Sequence, residues 1–201
     1  MIRLPRPPSS HWRRLLILAL LLLGSSTASA QSGEAADFSL DAYNSERVRI
    51  TRNALYVLGG WAAVNILAGP TGTAVTDGET SGFYEMTAGW NVVNLGLAGF
   101  GLLGLRDAPT DLSLWDTTQA QNRIEDTLLF NAGLDIGYMM MGFLIRSAAS
   151  AEPGNLEAER LRGWGTAVVA QGAFLFAFDL IAYLRLRRHR WTLEEGFPER
   201  F

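Results

Sequence analysis
The sequence predicts an all-α protein, an antiparallel four-helix transmembrane bundle that follows a cleaved signal peptide. Three observations carry that prediction. The N-terminus has the three parts of a secretory signal, four apolar segments follow with turn chemistry between them, and the interiors of those segments hold only two formal charges, Asp135 and Asp179. Period-two alternation is absent, so helices are the natural reading of the apolar segments. A soluble amphipathic helix carries charge along its outer face. These four would leave the outside of a soluble bundle bare, so lipid is the expected surrounding.

Arg3, Arg6, Arg13 and Arg14 form the basic leader, residues 15–23 the apolar stretch, and Ala28, Ser29 and Ala30 the small residues ahead of a cut before Gln31. The nine residues of that stretch are too few to cross a bilayer core, which takes roughly 20 helical residues. Residues 1–30 are therefore expected to be removed, residues 31–190 to form the membrane domain, and residues 191–201 to be a short polar C-terminal tail.

The first helix is expected over residues 54–68, with an amphipathic lead-in from Leu40 and a stop at the Gly-Pro-Thr-Gly run of residues 69–72. The second is expected over residues 86–105, ending before Asp107 and Pro109. A third begins as a polar helix near Leu112, with Thr110 or Asp111 as its cap, and becomes apolar over residues 128–145. The fourth runs over residues 164–184, after the Glu-Pro-Gly-Asn run of residues 152–155 and a charged helical start, and ends in Arg185, Arg187, Arg188 and Arg190.

Composition excludes several function classes. Removal of the leader takes four of the 17 arginines, leaving 13 against 20 acidic residues and a formal net charge of −7, with no lysine. Nucleic acid is thus not an expected partner, because phosphate binding needs a basic face. The chain has no cysteine, which removes disulfides, thiolate metal sites and cysteine nucleophiles. Its two histidines, His11 in the leader and His189 in the terminal arginine cluster, do not suit a buried zinc or haem site. No nucleotide loop, Ser-His-Asp set or metalloprotease helix is present. No cofactor, no metal and no enzymatic activity are expected; the expected partners are the lipid bilayer and either a second copy or another membrane protein.

Orientation is contradictory. A cleaved signal puts Gln31 outside the cytoplasm, and four spans return the C-terminus to the same side. Yet that side would hold Arg47, Arg49, Arg52, Arg106, Arg123, Arg185, Arg187, Arg188 and Arg190, nine in all, against Arg146, Arg160 and Arg162 on the other. Cytoplasmic loops usually hold the excess.

Polar residues inside the apolar segments are the candidates for chemistry. The pattern Gly-Trp-x-x-Val-Asn occurs at residues 60–65 and again at residues 89–94. At 100° per residue, Trp61 and Asn65 share a face of the first helix; Trp90 and Asn94 share one of the second, with Asn91 at its margin. Hairpin geometry sets Trp61 level with Asn94, and Asn65 near Trp90 and Asn91. A reciprocal clasp is expected, each indole N–H facing the other helix's amide oxygen. In the third helix Asn131, Asp135 and Tyr138 share a face; in the fourth, Gln171 and Asp179 do. Pairing these helices brings Asn131 level with Asp179 and Tyr138 level with Gln171, leaving Asp135 near mid-membrane with Asn94, Gln171 or Tyr138 as its expected partner.

The cost of Asp135 bears on its role. An aspartate at the centre of a membrane helix costs about 2.5–3.5 kcal/mol, while each Leu, Ile or Phe returns roughly 0.3–0.6. The eight such residues between 128 and 145 about cancel it. The carboxyl should therefore face into the bundle, neutral or hydrogen-bonded. Amides and carboxyls can simply hold membrane helices together at around 1 kcal/mol each, with Gly96, Gly101, Gly133 and Gly137 allowing close approach. That explains the asparagines better than Asp135, because adhesion needs no ionisable group.

The runs LLFNAGLDIGYMMMG (residues 128–142), RLRGWGTAVVAQGAFLFAFDL (residues 160–180) and WNVVNLGLAGFG (residues 90–101) resemble an uncharacterised bacterial family of four-helix membrane proteins, a domain of unknown function. The resemblance covers roughly residues 46–188. It implies a four-helix unit and no assigned activity. Three functions stay open: a structural polar core framing a ligand or ion site around Asp135, a proton- or cation-coupled transport component using Asp135 and Asp179, and a membrane accessory or scaffolding subunit.

Overall fold
The computed structural model describes residues 38–151 and 155–200. The expected signal peptide and residues 152–154 of the expected turn lie outside the described residues. Four helices account for most of the described residues, and there is no strand among them: α1 (Leu40–Val75), α2 (Gly78–Gly104), α3 (Leu114–Ala149) and α4 (Leu156–Gly196), then a 3-10 turn (Pro198–Arg200). Each of the four carries a stretch long and apolar enough to cross a membrane.

Side-chain oxygens cap three of the helices. Ser39 Oγ accepts from Ala42 N at 3.3 Å, Ser113 Oγ from Asp116 N at 3.2 Å, and Asn155 Oδ1 from Glu157 N at 2.9 Å. The cap of α3 is thus Ser113, not Thr110 or Asp111. Helix α1 does not stop at the Gly-Pro run, since Pro70 lies inside it. Thr71, next in sequence, donates its hydroxyl to the Ala68 carbonyl at 2.9 Å. The flanking glycines are contact points instead of stops: a Cβ on Gly69 would strike Ala88, and one on Gly72 would strike the ring of Tyr84.

The real turn is Thr76 and Asp77, followed by Gly78 at φ 55°, a left-handed conformation that favours glycine. From this turn the contacts between α1 and α2 step outward in both chains: Gly72 with Tyr84, Gly69 with Ala88, Gly59 with Ala98, Leu55 with Gly101. Helix α4 continues to Gly196, so residues 191–196 are not a polar tail. Leu193 is fully buried, and the rings of Phe197 and Phe38 meet edge to face at 5.3 Å.

Helix α4 is the centre of the bundle. Half of its apolar span is buried, against 17–22% for the other three. It packs along α3 and α2, α1 packs along α2, and the backbones of α2 and α3 do not meet. Gly142 of α3 and Gly165 of α4 form a close crossing: a Cβ on Gly142 would lie 2.7 Å from the Gly165 carbonyl oxygen, and one on Gly165 2.6 Å from that of Gly142. Gly133, Gly137 and Gly96, expected at helix contacts, would have nothing within 4 Å of an added methyl and face outward; Gly101 alone of that set touches a neighbouring helix, at Leu55.

Length separates α2 from the rest. Its 27 residues make about 40 Å at 1.5 Å per residue, close to a bilayer with its headgroups. The other three, of 36, 36 and 41 residues, extend past it with charged segments at the start of α1, the start of α3 and the end of α4. These segments pack together through Asn44, Thr117, Gln121 and Leu186.

Candidate functional site
The two charges inside the apolar segments find each other. Asp135 of α3 and Asp179 of α4 lie side by side on one cavity, and the residues are 3% and 6% exposed. Asp135 Oδ2 has no donor from any neighbouring group. A hydrogen bond between two carboxyls needs a proton, and like charges in contact do not both ionise. Two adjacent carboxyls in an apolar interior are suited to sharing a proton.

Helix register explains the pairing. A Cβ added to Gly172 of α4 would lie 3.0 Å from the Asp135 carbonyl oxygen, so the two helices are in close contact there. Asp179 lies two turns further along α4, so its carboxyl reaches Asp135 from the side of Asn131. The sequence expectation that Asn131 and Asp179 are level is thus close, but the acceptor that meets Asp179 stands one turn further along α3. Asn94, Gln171 and Tyr138, expected as partners of Asp135, do not bond to it.

The pair lines a cavity of about 150 Å³ with Asn94, Asn131, Trp90 and Tyr138. That is room for several waters at about 30 Å³ each. Leu58, Val93, Leu97, Leu134, Leu175 and Phe178 complete the wall. The cavity exists because the backbones of α2 and α3 stand apart. They are bridged by side chains, the Trp90 ring meeting the Tyr138 ring edge-on at 4.9 Å. Val93 and Leu97 are 63% and 59% exposed, so the cleft opens sideways between α2 and α3 as well as inward to the carboxyls.

The Trp/Asn clasp takes a different form from the one expected. Trp61 Nε1 donates to Gln171 Oε1 at 3.0 Å, tying α1 to α4, and its ring stacks on Phe174 at 3.9 Å. Asn65 Nδ2 donates to the Trp61 carbonyl at 2.8 Å and Asn91 Nδ2 to the Thr87 carbonyl at 2.8 Å, both within their own helices. Asn94 Nδ2 donates to Asn91 Oδ1 at 3.3 Å. No indole reaches an amide across α1 and α2, because α4 fills the space those side chains would have shared. Gln171 is consequently outside the cavity.

A second buried polar cluster lies in the charged extensions. Asn44 Nδ2 donates to Thr117 Oγ1 at 2.8 Å, and Arg47 donates to Asn44 Oδ1 at 3.0 Å. Gln121 Nε2 donates to Glu125 Oε1 at 2.8 Å, and Arg190 Nε donates to the same oxygen at 2.9 Å. Tyr43 stacks on His189 at 4.1 Å, and His189 Nε2 lies 3.0 Å from the Tyr43 carbonyl oxygen. Burial raises the Tyr43 phenol above its ordinary range and lowers the pKa of Arg47 and His189. Sequence reading placed Arg190 in an interfacial cluster and missed this network. The i, i+4 spacing of Gln121 and Glu125 was its one available signal, and that spacing also describes an ordinary solvated face.

At the opposite end Glu85 accepts from Arg160 and, at 3.1 Å, from Trp164 Nε1. The Arg160 bond holds the Glu85 carboxyl below its usual range. Arg146 and Arg162 converge on Glu79. Among the described residues no group of three or more acidic or histidine side chains is arranged to hold a metal. Chemically, the Asp135 and Asp179 cleft can bind and release a proton or accept a small cation among carboxyl and amide oxygens.

Residues 57–180 match a family of unknown function, DUF6992, and the chain belongs to that family. No curated protein and no solved structure matches it.

Proposed function
We propose that the protein is an antiparallel four-helix integral membrane protein of the bacterial inner membrane, delivered by its signal peptide, in which Asp135 and Asp179 form a proton-binding site that serves proton- or cation-coupled transport. One observation carries this reading: the carboxyl pair sits beside a cavity in the apolar interior. A purely adhesive core would be served by amides, as at Trp61 and Gln171, and would close over its polar atoms. Here one carboxylate oxygen lacks a donor and a cleft leads to it. Intramembrane carboxyls facing water-accessible space are the usual elements of ion pathways.

The test is flux in liposomes. Purified protein is reconstituted with a pH-sensitive dye inside, and proton movement is followed under an imposed proton gradient, then under a sodium gradient. Wild type should move protons faster than empty liposomes, and Asp135→Asn should abolish the difference while the variant keeps its helical content. Wild-type flux equal to that of empty liposomes under both gradients, or unchanged flux in Asp135→Asn, would overturn the proposal. A scaffolding role is favoured by a separate observation, the outward-facing Gly133 and Gly137 four residues apart on α3, a spacing that lets apolar helices associate closely. Crosslinking through single cysteines at those two sites would reveal such a partner.

A further inference from the structure
A groove between the N-terminal half of α1 and the end of α2 is built like a headgroup site. It is lined by Arg52 and Tyr56 of α1, by Gly99, Leu102 and Leu103 of α2, and by Leu105 and Arg106 just beyond, and encloses about 570 Å³. The contact of Leu55 with Gly101 fixes the register that brings Arg52 and Arg106 to one level. Arg52 stands just before the apolar run of α1 and Arg106 just after that of α2, at the edge of the expected spans. Neither guanidinium has a carboxylate partner among the described residues, whereas Arg146, Arg160, Arg162, Arg187 and Arg190 all do.

The groove runs from charge into apolar surface. Tyr56 lies one helical turn inward from Arg52 and is 59% exposed, Leu103 is 66% exposed, and Gly99 leaves open space where any other residue would place a side chain. We infer that this groove binds one anionic phospholipid, its phosphate between Arg52 and Arg106, its glycerol region against Tyr56, and an acyl chain along Gly99 and Leu103. Two guanidinia present planar donor forks that match phosphate oxygens. A soluble phosphate compound would use the arginines but leave the apolar half of the groove bare. The inference rests on the membrane part of the proposed function and is independent of the carboxyl pair.

Native mass spectrometry tests it. The full mature chain, purified in detergent, is presented with equal phosphatidylglycerol and phosphatidylcholine. Wild type should retain one phosphatidylglycerol in preference. At about 1 kcal/mol per interfacial arginine, the Arg52→Gln/Arg106→Gln double variant should lose about 30-fold in that preference. Arg52→Lys/Arg106→Lys should keep most of it, and circular dichroism should show native helix content in both variants. Equal retention of the two lipids by wild type, or an unchanged preference in the glutamine double variant, overturns the site. Full competition by glycerol phosphate overturns the lipid in favour of a soluble anion. Alkaline carbonate extraction of membranes separates the two levels of failure: a chain that is released overturns the membrane reading itself, and one that resists leaves only the lipid site at stake.

Discussion

Replacing Asp135 with leucine should destabilise the bundle, replacing Asp179 with leucine should do the same, and replacing both should cost less than either change alone. The two residues are 3% and 6% exposed and share one cavity, where their carboxyls can bond to each other through a proton. Removing one leaves the other buried with an unmade hydrogen bond, at about 1–3 kcal/mol. The relief that leucine brings to membrane insertion does not enter this difference, because helices unfolded from one another are still inserted. Removing both leaves no orphan, and replacing both partners with apolar groups of similar size is nearly neutral. The adjoining cavity of about 150 Å³ gives the added methyl groups room. Non-additivity should therefore reach at least about 2 kcal/mol, well above the roughly 0.5 kcal/mol scatter expected of independent sites. Unfolding in mixed micelles by a rising mole fraction of dodecyl sulfate, followed by far-UV circular dichroism, measures all three variants. Additive costs would refute the pairing.

Two further predictions concern the frame around that pair. Gly142→Ala and Gly165→Ala each force a methyl against backbone atoms less than 3 Å away, so each should cost about 1–3 kcal/mol in the same assay, while Gly133→Ala and Gly137→Ala, which point into open space, should be neutral or stabilise by up to about 1 kcal/mol through helix propensity. In the charged extensions, burial depresses the His189 pKa below its ordinary 6.5 against the opposing bond to the Tyr43 carbonyl and the nearby Glu46. The unfolded chain thus takes up a proton first as pH falls below about 6.5. Stability should be full above that pH and decline beneath it by no more than about 1.4 kcal/mol per unit. Amide exchange at the start of α1 and the end of α4 should show this decline, and His189→Phe should flatten it; a rise in protection on acidification would contradict the assignment.

What the sequence made legible was set by cost and period. Four helices followed from apolar segments of spanning length, and Asp135 and Asp179 stood out because each is expensive where it lies. Register was nearly right as well: Trp61 and Asn94 are level, as are Asn131 and Asp179. Rotation was the missing information. A repeat such as Gly-Trp-x-x-Val-Asn gives the height of a side chain in a hairpin but not which neighbour occupies the space in front of it, and α4, last in the chain, takes Trp61 away from Asn94. The glycines show the same limit. Gly133 and Gly137 have the spacing of a helix contact yet face outward, while Gly142 and Gly165, each ordinary alone, meet across two helices. Proline misled for a different reason: proline breaks helices in water, but at Pro70 tight packing of Gly69 and Gly72 on α2 outweighs one lost hydrogen bond. The network of Gln121, Glu125 and Arg190 was hidden because helices that protrude together bury polar faces that each alone would give to solvent.

Infrared spectroscopy of the protein in lipid bilayers tests the central claim most directly. At neutral pH, in buffer free of sodium and potassium, surface carboxylates are ionised and contribute no acid carbonyl band. The paired carboxyls of Asp135 and Asp179 should contribute one, which shifts in heavy water and is absent from the Asp135→Asn/Asp179→Asn variant. A wild-type spectrum with no acid carbonyl band, or a band that survives both substitutions, would contradict a shared proton in the bundle interior.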